Sequence, residues 1–394
     1  MGMTVQSFLL LIATLLCTSV TRAQKGGYHL RFDLSMRHFV DTVTIDFEHH
    51  QVLVPVQING QTYRFLLDTG AGHAVIYDDR PIEGCLSAGS ILSRDAIGRE
   101  DSVPLVTLPP LTIGRLTLTG CQATVQHRTV PRKGIDGILG FDLVCRGIHM
   151  KIDTRQRLLV LTDQKKFFKQ EPGIALRYKL NYHVPYVQVE PFCGYRERVF
   201  FDTGSRQFYA MNKASFDRGS EACMRQNPQQ VEGRSVGRHA IGLLGTEPIG
   251  EVVFLNIDSL CLGSYSFGNL HTLTTQGGSH LGARLLDYGS VVFNPSRRRI
   301  IFQPYEEGDR TMVGNRQLQK AIVNNAGLPT VGLVWERSEA YKAGLRQGDV
   351  ILKADDQPIR SFAEYMAFRP LRGRAYTFTV RDRCGFLKEV LMPW

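Results

Sequence analysis

The sequence predicts a mainly β protein in which two copies of one lobe are followed by a small α+β module. Three observations lead there. The run Phe65-Leu66-Leu67-Asp68-Thr69-Gly70-Ala71 returns as Val199-Phe200-Phe201-Asp202-Thr203-Gly204-Ser205, so the chain twice carries an apolar strand that ends in an acid and a turn. A Leu-Gly pair followed by two apolar strands also occurs twice, at Leu139-Gly140 and Leu281-Gly282, at similar distances beyond each acid. After Gln303 to Arg310, a stretch rich in charge with Pro304 and Gly308, the pattern changes to strands separated by short helix signals.

At 394 residues, 43% of them hydrophobic, the chain is long enough for two or three domains with cores of their own. Its beginning is an apolar run, Ser7 to Val20, followed by Thr21-Arg22-Ala23. Small residues thus stand three and one positions before Gln24, the pattern of a secretory signal peptide over residues 1–23. The run is too short for a stable membrane span, so the expectation is export, to a periplasm or beyond, with no transmembrane anchor. Loss of Arg22 would take the formal charge from +10 to +9. The basic residues are scattered, and the one tight cluster, Arg297-Arg298-Arg299, follows Asn294-Pro295-Ser296 as a solvated turn would. No phosphate-binding glycine loop and no zinc-type cysteine pair occurs, so neither nucleic acid nor a metal or other cofactor is expected. Seven cysteines remain beyond residue 23, an odd number that leaves at least one thiol free, and their spacing does not pair the rest.

In chain order, Tyr28 to Glu48 alternates loosely as strand does. Val52 to Ile58 and Gln61 to Leu67 flank Asn59-Gly60, the strongest short hairpin signal, and the second of these strands delivers Asp68 into a turn at Gly70. Leu111 to Leu118, Thr124 to Gln126, and the pair Met150–Asp153 and Arg157–Leu161 complete a first lobe, residues 24–162. The polar stretch Thr162 to Gly173 reads as a connector. In a second lobe, 173–305, residues 186–204 repeat the layout of 52–70 at the same length. The module, 311–394, shows a strand at Thr330–Trp335, a short helix from Ser338 to Ala343, a strand at Val350–Ala354, a helix from Phe362 to Phe368 capped by Ser361, and strands at Tyr376–Val380 and Leu387–Leu391.

One acid at the end of a buried strand is ordinarily a turn or cap residue. Two, on duplicated lobes packed about a pseudo-twofold axis, would set Asp68 opposite Asp202. Carboxylates that close cannot both ionise cheaply, so one proton is shared and their pKa values split. One acid can then activate a water while the other donates to a carbonyl oxygen. Thr69 and Thr203 would hydrogen-bond across the axis, and Gly70 and Gly204 would let the backbones approach. Ser205 is expected to donate its hydroxyl to Asp202, whereas Ala71 offers Asp68 nothing comparable. On that reading Asp202 is the ionised member and Asp68 carries the proton.

At these residues the chain resembles the aspartic proteases of the retropepsin and pepsin kind. Leu66 to Ala71 with Ile138-Leu139-Gly140 carries the likeness in one half, and Phe200 to Ser205 with His280-Leu281-Gly282 is similar in the other, so that it covers about residues 40–305. The resemblance implies a pepsin-like bilobal arrangement, Asp68 and Asp202 as catalytic pair, a peptide or protein substrate, and a monomer, since one chain holds both lobes. It also implies a hairpin flap, but neither Ser93–Glu100 nor Gly233–Gly245 carries the aromatic-glycine signature, and the flap residues stay unassigned. Ser338-Glu339-Ala340 to Ala343-Gly344-Leu345, Gly348-Asp349-Val350-Ile351 and Asp356-Gln357-Pro358-Ile359 resemble the PDZ domains of bacterial proteases, with Glu339 where proline is common. That likeness implies a peptide bound by strand addition, with a terminal carboxylate received by a loop expected around Thr311 to Arg316. Two other readings remain: a catalytically unused peptide-binding scaffold of the same fold, and an actin-like or sugar-kinase-like ATPase. Against the ATPase stand the export signal, the lack of crossover helices and the apolar Leu-Gly segments.

Overall fold

Asn59 and Gly60 both take positive φ, 52° and 75°, the paired left-handed geometry that a two-residue hairpin requires. They set Gln51–Ile58 against Gln61–Leu67 with Ile58 opposite Gln61, and this register turns Val52, Val54, Val56 and Ile58 into the core. The computed structural model in which this is seen describes residue 28 and residues 31–128, 134–371 and 373–393. The expected signal peptide, 1–23, lies outside the described residues.

The Leu-Gly segments fix where the acid strands end. Gly137–Leu139 runs parallel to Gln61–Leu67 and antiparallel to Ala74–Tyr77, so the chain leaves at Asp68, turns, and returns on the far side of the inserted strand. The second lobe repeats this: His280–Gly282 lies between Tyr195–Asp202, in parallel, and Tyr209–Asn212, antiparallel. Glycine is needed here for room. A Cβ on Gly140 would stand 2.6 Å from the backbone of His73, and one on Gly282 would collide with the carbonyl of Gln207.

Among the described residues each lobe is built on an eleven-stranded sheet, and a six-stranded sheet joins them. Its order is Ile174–Arg177, Arg299–Pro304, Gly289–Asn294, His149–Asp153, Leu158–Thr162, Val40–Thr44, so the strand pairs that close the two lobes lie side by side with Ile152 opposite Val291. The core is continuous across this sheet. Phe141, just past the first Leu-Gly pair, and Phe201, on the second acid strand, both pack edge-on against Phe293, at ring-centre distances of 5.4 and 5.5 Å. The architecture is the mainly β, two-lobed one that the duplication predicts. A helix the sequence reading misses, Lys213–Gln226, follows the Asn212 cap; only Ser215, Phe216, Gly219, Ala222 and Cys223 are buried on it, too narrow a stripe to give a clear period.

The C-terminal module has its own sheet, ordered Lys320–Asn325, Leu328–Val334, Val350–Ala354, Ala375–Arg381, Leu387–Pro393, and its own core around Val331, Leu345, Ile351 and Phe378. Its helices, Glu339–Lys342 and Phe362–Ala367, are capped by Ser338 and Ser361. The segment ahead of it belongs elsewhere. Arg310–Met312 pairs in parallel with Tyr265–Gly268, and the N–H groups of Val313 and Gly314 donate to the carbonyls of Gly268 and Asn269, so the second lobe's sheet edge holds the backbone up to Gly314, while Asn315 and Gln317 reach the lobe through their side chains. Residue 311 therefore sits inside a second-lobe strand, and Thr311 to Arg316 is not the free loop expected of it. The module docks on the same lobe: Arg238 donates its N–H to the Gly332 carbonyl at 2.8 Å and Trp335 stacks on Phe254. The seven described cysteines are all free thiols, and no helix among the described residues is long and apolar enough to cross a membrane.

Because the Gly282 contact is with rigid backbone, Gly282→Ala should lower unfolding free energy by about 2 kcal/mol or more in urea titrations. An unchanged midpoint would mean that the inserted strand tolerates a Cβ.

Candidate active site

The two acid turns meet at the junction of the lobes, held by the threonines that follow each acid. Thr69 N–H donates to Thr203 Oγ1 at 3.0 Å and Thr203 N–H to Thr69 Oγ1 at 3.1 Å. Each hydroxyl in turn donates to a carbonyl of the opposite strand, Thr69 to Phe201 and Thr203 to Leu67, both at 2.6 Å. Both threonines are fully buried, so all four bonds are shielded from water.

This clasp sets the acids against the facing turn. A Cβ on Gly70 would lie 2.5 Å from Asp202 Oδ1 and 3.1 Å from Asp68 Oδ1, so one oxygen of each carboxylate lies within 3.1 Å of a single point. A Cβ on Gly204 would collide with the Asp68 carboxylate. Only glycine leaves room for the acids at both turns. Asp68, Thr69, Gly70, Asp202, Thr203 and Gly204 are thus brought together.

The surroundings of the acids differ. Asp68 Oδ1 accepts from Gly70 N–H at 2.8 Å and the residue is half-buried. Asp202, buried, accepts at Oδ1 from Gly204 N–H at 2.9 Å and from Ser205 N–H at 3.2 Å. Ser205 thus reaches Asp202 through its backbone. Its hydroxyl, expected from the sequence to serve Asp202, lies 3.0 Å from His280 Nε2 and accepts from Gln207 N–H at 3.3 Å.

Behind the first turn, Tyr28 donates to Asp142 Oδ2 at 3.0 Å and its ring lies against His73. Burial pushes Asp142 up to about 6 and, with His183 nearby, His73 down to about 4. Two buried glutamates support the second lobe. Glu197 accepts from the hydroxyls of Tyr209, Ser215 and Ser279, yet burial still raises its pKa. Glu247 also pays for burial, but His239 and the donors around it hold its pKa below the usual value. Among the described residues no group of histidine, cysteine and acids could hold a metal ion.

The two stretches without a flap signature are hairpin tips, and they meet. Leu86–Arg94 and Glu100–Thr107 pair into a long hairpin whose tip, Asp95 to Gly98, reaches the second lobe. There Asp95 Oδ2 accepts from Leu244 N–H at 3.0 Å and the Ala96 carbonyl accepts from Gly278 N–H at 3.1 Å. From the other side the tip built on Ile241–Gly242 and Gly245–Thr246 packs Leu243 on the cluster of Leu66 and Ile138, the same cluster on which Ala71 of the first acid turn packs. Glu247 fixes that tip by accepting from the N–H groups of His239 and Ala240, both at 2.8 Å. The sequence signals for these tips, an Asp-x-x-Gly turn and scattered glycines, are too common to single out.

Thr203→Val would leave the Thr69 N–H and the Leu67 carbonyl buried without these partners, at a cost of about 2–4 kcal/mol. Thr69→Val should cost the same by symmetry, and the double variant less than the sum, because the four bonds form one unit. Chemical denaturation of the four proteins reads this; strictly additive losses would contradict a shared clasp.

Residues 54–143 match the family described as Aspartyl protease, a span that holds the first acid turn and the first Leu-Gly segment. No curated protein matches the chain. Among solved structures the chain is similar to an aspartic proteinase from Irpex lacteus, 13% identical with a TM-score of 0.44 over 68% of this chain and 97% of that one. It is likewise similar to conglutin gamma from lupine seeds, at 11% identity, TM-score 0.44 and coverage of 68% and 95%, and to basic 7S globulin from soybean, at 12%, 0.41, and 67% and 94%.

Proposed function

We propose that the protein is an exported aspartic endopeptidase in which Asp68 and Asp202 share one proton and activate water against a peptide bond. One observation carries this reading: the reciprocal threonine clasp that places an oxygen of each acid within 3.1 Å of one point. In the catalytic cycle the ionised acid takes a proton from water as it attacks, and the protonated acid donates to the carbonyl oxygen. The tetrahedral diol collapses as the acid that took water's proton gives it to the leaving amine and a diol hydroxyl returns its proton to the other acid, so the C–N bond breaks and the dyad again holds one proton. No covalent enzyme intermediate forms. The crossed tips, Asp95 to Gly98 and Ile241 to Thr246, serve as the flap that covers bound peptide and excludes water. The match of residues 54–143 to aspartyl proteases supports the same reading.

The C-terminal module, on this proposal, binds an extended peptide. Its strand Lys320–Asn325 is an open sheet edge, and beside it a cavity of about 370 Å³ is lined by Arg316, Leu318, Gln319, Lys320, Ile322 and Tyr365. Strand addition along Lys320–Asn325 would place a peptide side chain against Ile322 and Tyr365, with the backbone of 316–319 at the peptide's end.

Incubated with a diverse peptide library, the wild type should cleave, and Asp68→Asn should lose about 10³-fold or more of the rate. Cleavage that survives the substitution would refute the dyad. In the module, Ile322→Glu should weaken binding of library peptides to the full chain by about tenfold while leaving cleavage of short peptides unchanged; unaltered peptide affinity would place the binding surface elsewhere.

A further inference from the structure

The acid turns are related by duplication, but at two positions the copies differ in chemistry. Three residues after each acid stand Ala71 and Ser205; just before each Leu-Gly pair stand Ile138 and His280. Ile138 lies opposite Leu66, and His280 opposite Phe200, in each case two residues before the acid. The two positions therefore neighbour each other in both lobes. In the first lobe both are apolar, and Ala71 packs on the cluster that contains Ile138. In the second they form a hydrogen bond, Ser205 Oγ to His280 Nε2 at 3.0 Å.

The direction of that bond follows from the other ring nitrogen. His280 Nδ1 lies 3.0 Å from the Gly278 carbonyl oxygen, which can only accept, so Nδ1 carries the hydrogen. In the neutral ring Nε2 is then an acceptor, and the Ser205 hydroxyl donates to it. A hydroxyl has one hydrogen. While it is directed to His280 it is withheld from Asp202, although the Ser205 backbone N–H is bonded to that same carboxylate.

We propose that Ser205 and His280 are a positioning pair that sets the basicity of Asp202: His280 draws the Ser205 hydroxyl hydrogen to itself, so that the hydroxyl adds nothing to the backbone donors of Gly204 and Ser205 on that carboxylate. A carboxylate denied the hydroxyl donor is less stabilised in its charged form than one that receives it, and is a stronger base. The consequence is a dyad that works nearer neutral pH than one whose second acid also receives a serine hydroxyl. The pair acts through Asp202 and does not itself touch the reacting atoms.

The pairing requires His280 to stay neutral while Asp202 titrates. His280 is buried against the ring of Phe200, at 5.2 Å between centres. The titratable groups that face it are Glu197 from its own acid strand, and Glu247 and His239 from the second-lobe tip. Burial lowers the His280 pKa from its ordinary value, outweighing the pull of the Gly278 carbonyl and the two glutamates toward the charged form.

This inference rests on the proposed function for its catalytic consequence, but its test does not need catalysis. The titration midpoint of Asp202 is read from the ¹³Cγ resonance of carboxyl-labelled aspartate, assigned by its absence in Asp202→Asn. Ser205→Ala should leave the midpoint where it is in the wild type. His280→Leu frees the hydroxyl and should lower the midpoint by about half a unit to one unit, and His280→Leu with Ser205→Ala should not show that drop. His280→Gln, which keeps an acceptor for the hydroxyl, should titrate like the wild type and stands in if the leucine variant does not fold. A midpoint raised by Ser205→Ala alone, or an equal drop with and without the hydroxyl, would overturn the proposal. If no peptide is cleaved, the proposed function fails while the titration still decides this pairing.

Discussion

The structure depends on four hydrogen bonds between Thr69 and Thr203 and the strands that face them. Each lobe could close its own sheet without the other, but neither could hold its acid turn opposite its twin. The turn is a strand end followed by glycine, a place where backbones ordinarily have freedom. Reciprocal bonds from both threonines, buried beyond the reach of water, remove it. The interlobe sheet and the packing of Phe141 and Phe201 on Phe293 then resist any sliding of one lobe past the other.

Much of this is legible in the sequence because the constraints are local and repeated. Asn59-Gly60 dictates a hairpin, Asp-Thr-Gly ends its strand, and Leu-Gly marks the only residue that can pass His73 or Gln207 at backbone contact. Duplication makes each copy a control for the other. Long-range features were hidden for physical reasons. The two hairpin tips meet where the Asp95 carboxylate accepts from Leu244 N–H and the Ala96 carbonyl from Gly278 N–H, and the backbone groups on the second-lobe side leave little mark on side-chain choice there. Arg310–Met312 spans the end of the expected linker and the start of the expected module, because polar linkers and edge strands share a composition. The helix Lys213–Gln226 escaped because Gly219 breaks its narrow buried face.

Departures from symmetry tell more than the symmetry. Had His280 been isoleucine like Ile138, the Ser205 hydroxyl would have stood free to serve Asp202, as the sequence alone suggests. With the imidazole taking that hydrogen, as proposed above, the difference between the two acids lies in burial and in the backbone donors of their turns. The second lobe is also the one on which the C-terminal module docks. Gly332 meets Arg238, and the next residue, His239, begins the tip that Glu247 fixes and that receives Asp95. The proposed peptide-binding edge, the proposed flap tip and the second acid are thus carried by elements that pack on the same lobe.

The most direct measurement of the account is kcat/KM for a single library-derived peptide from about pH 2 to about pH 8. Two acids sharing one proton predict a bell, with a rise as one carboxyl ionises and a fall as the second loses its proton. A rate governed by one ionisation, or one flat across that range, would contradict the dyad.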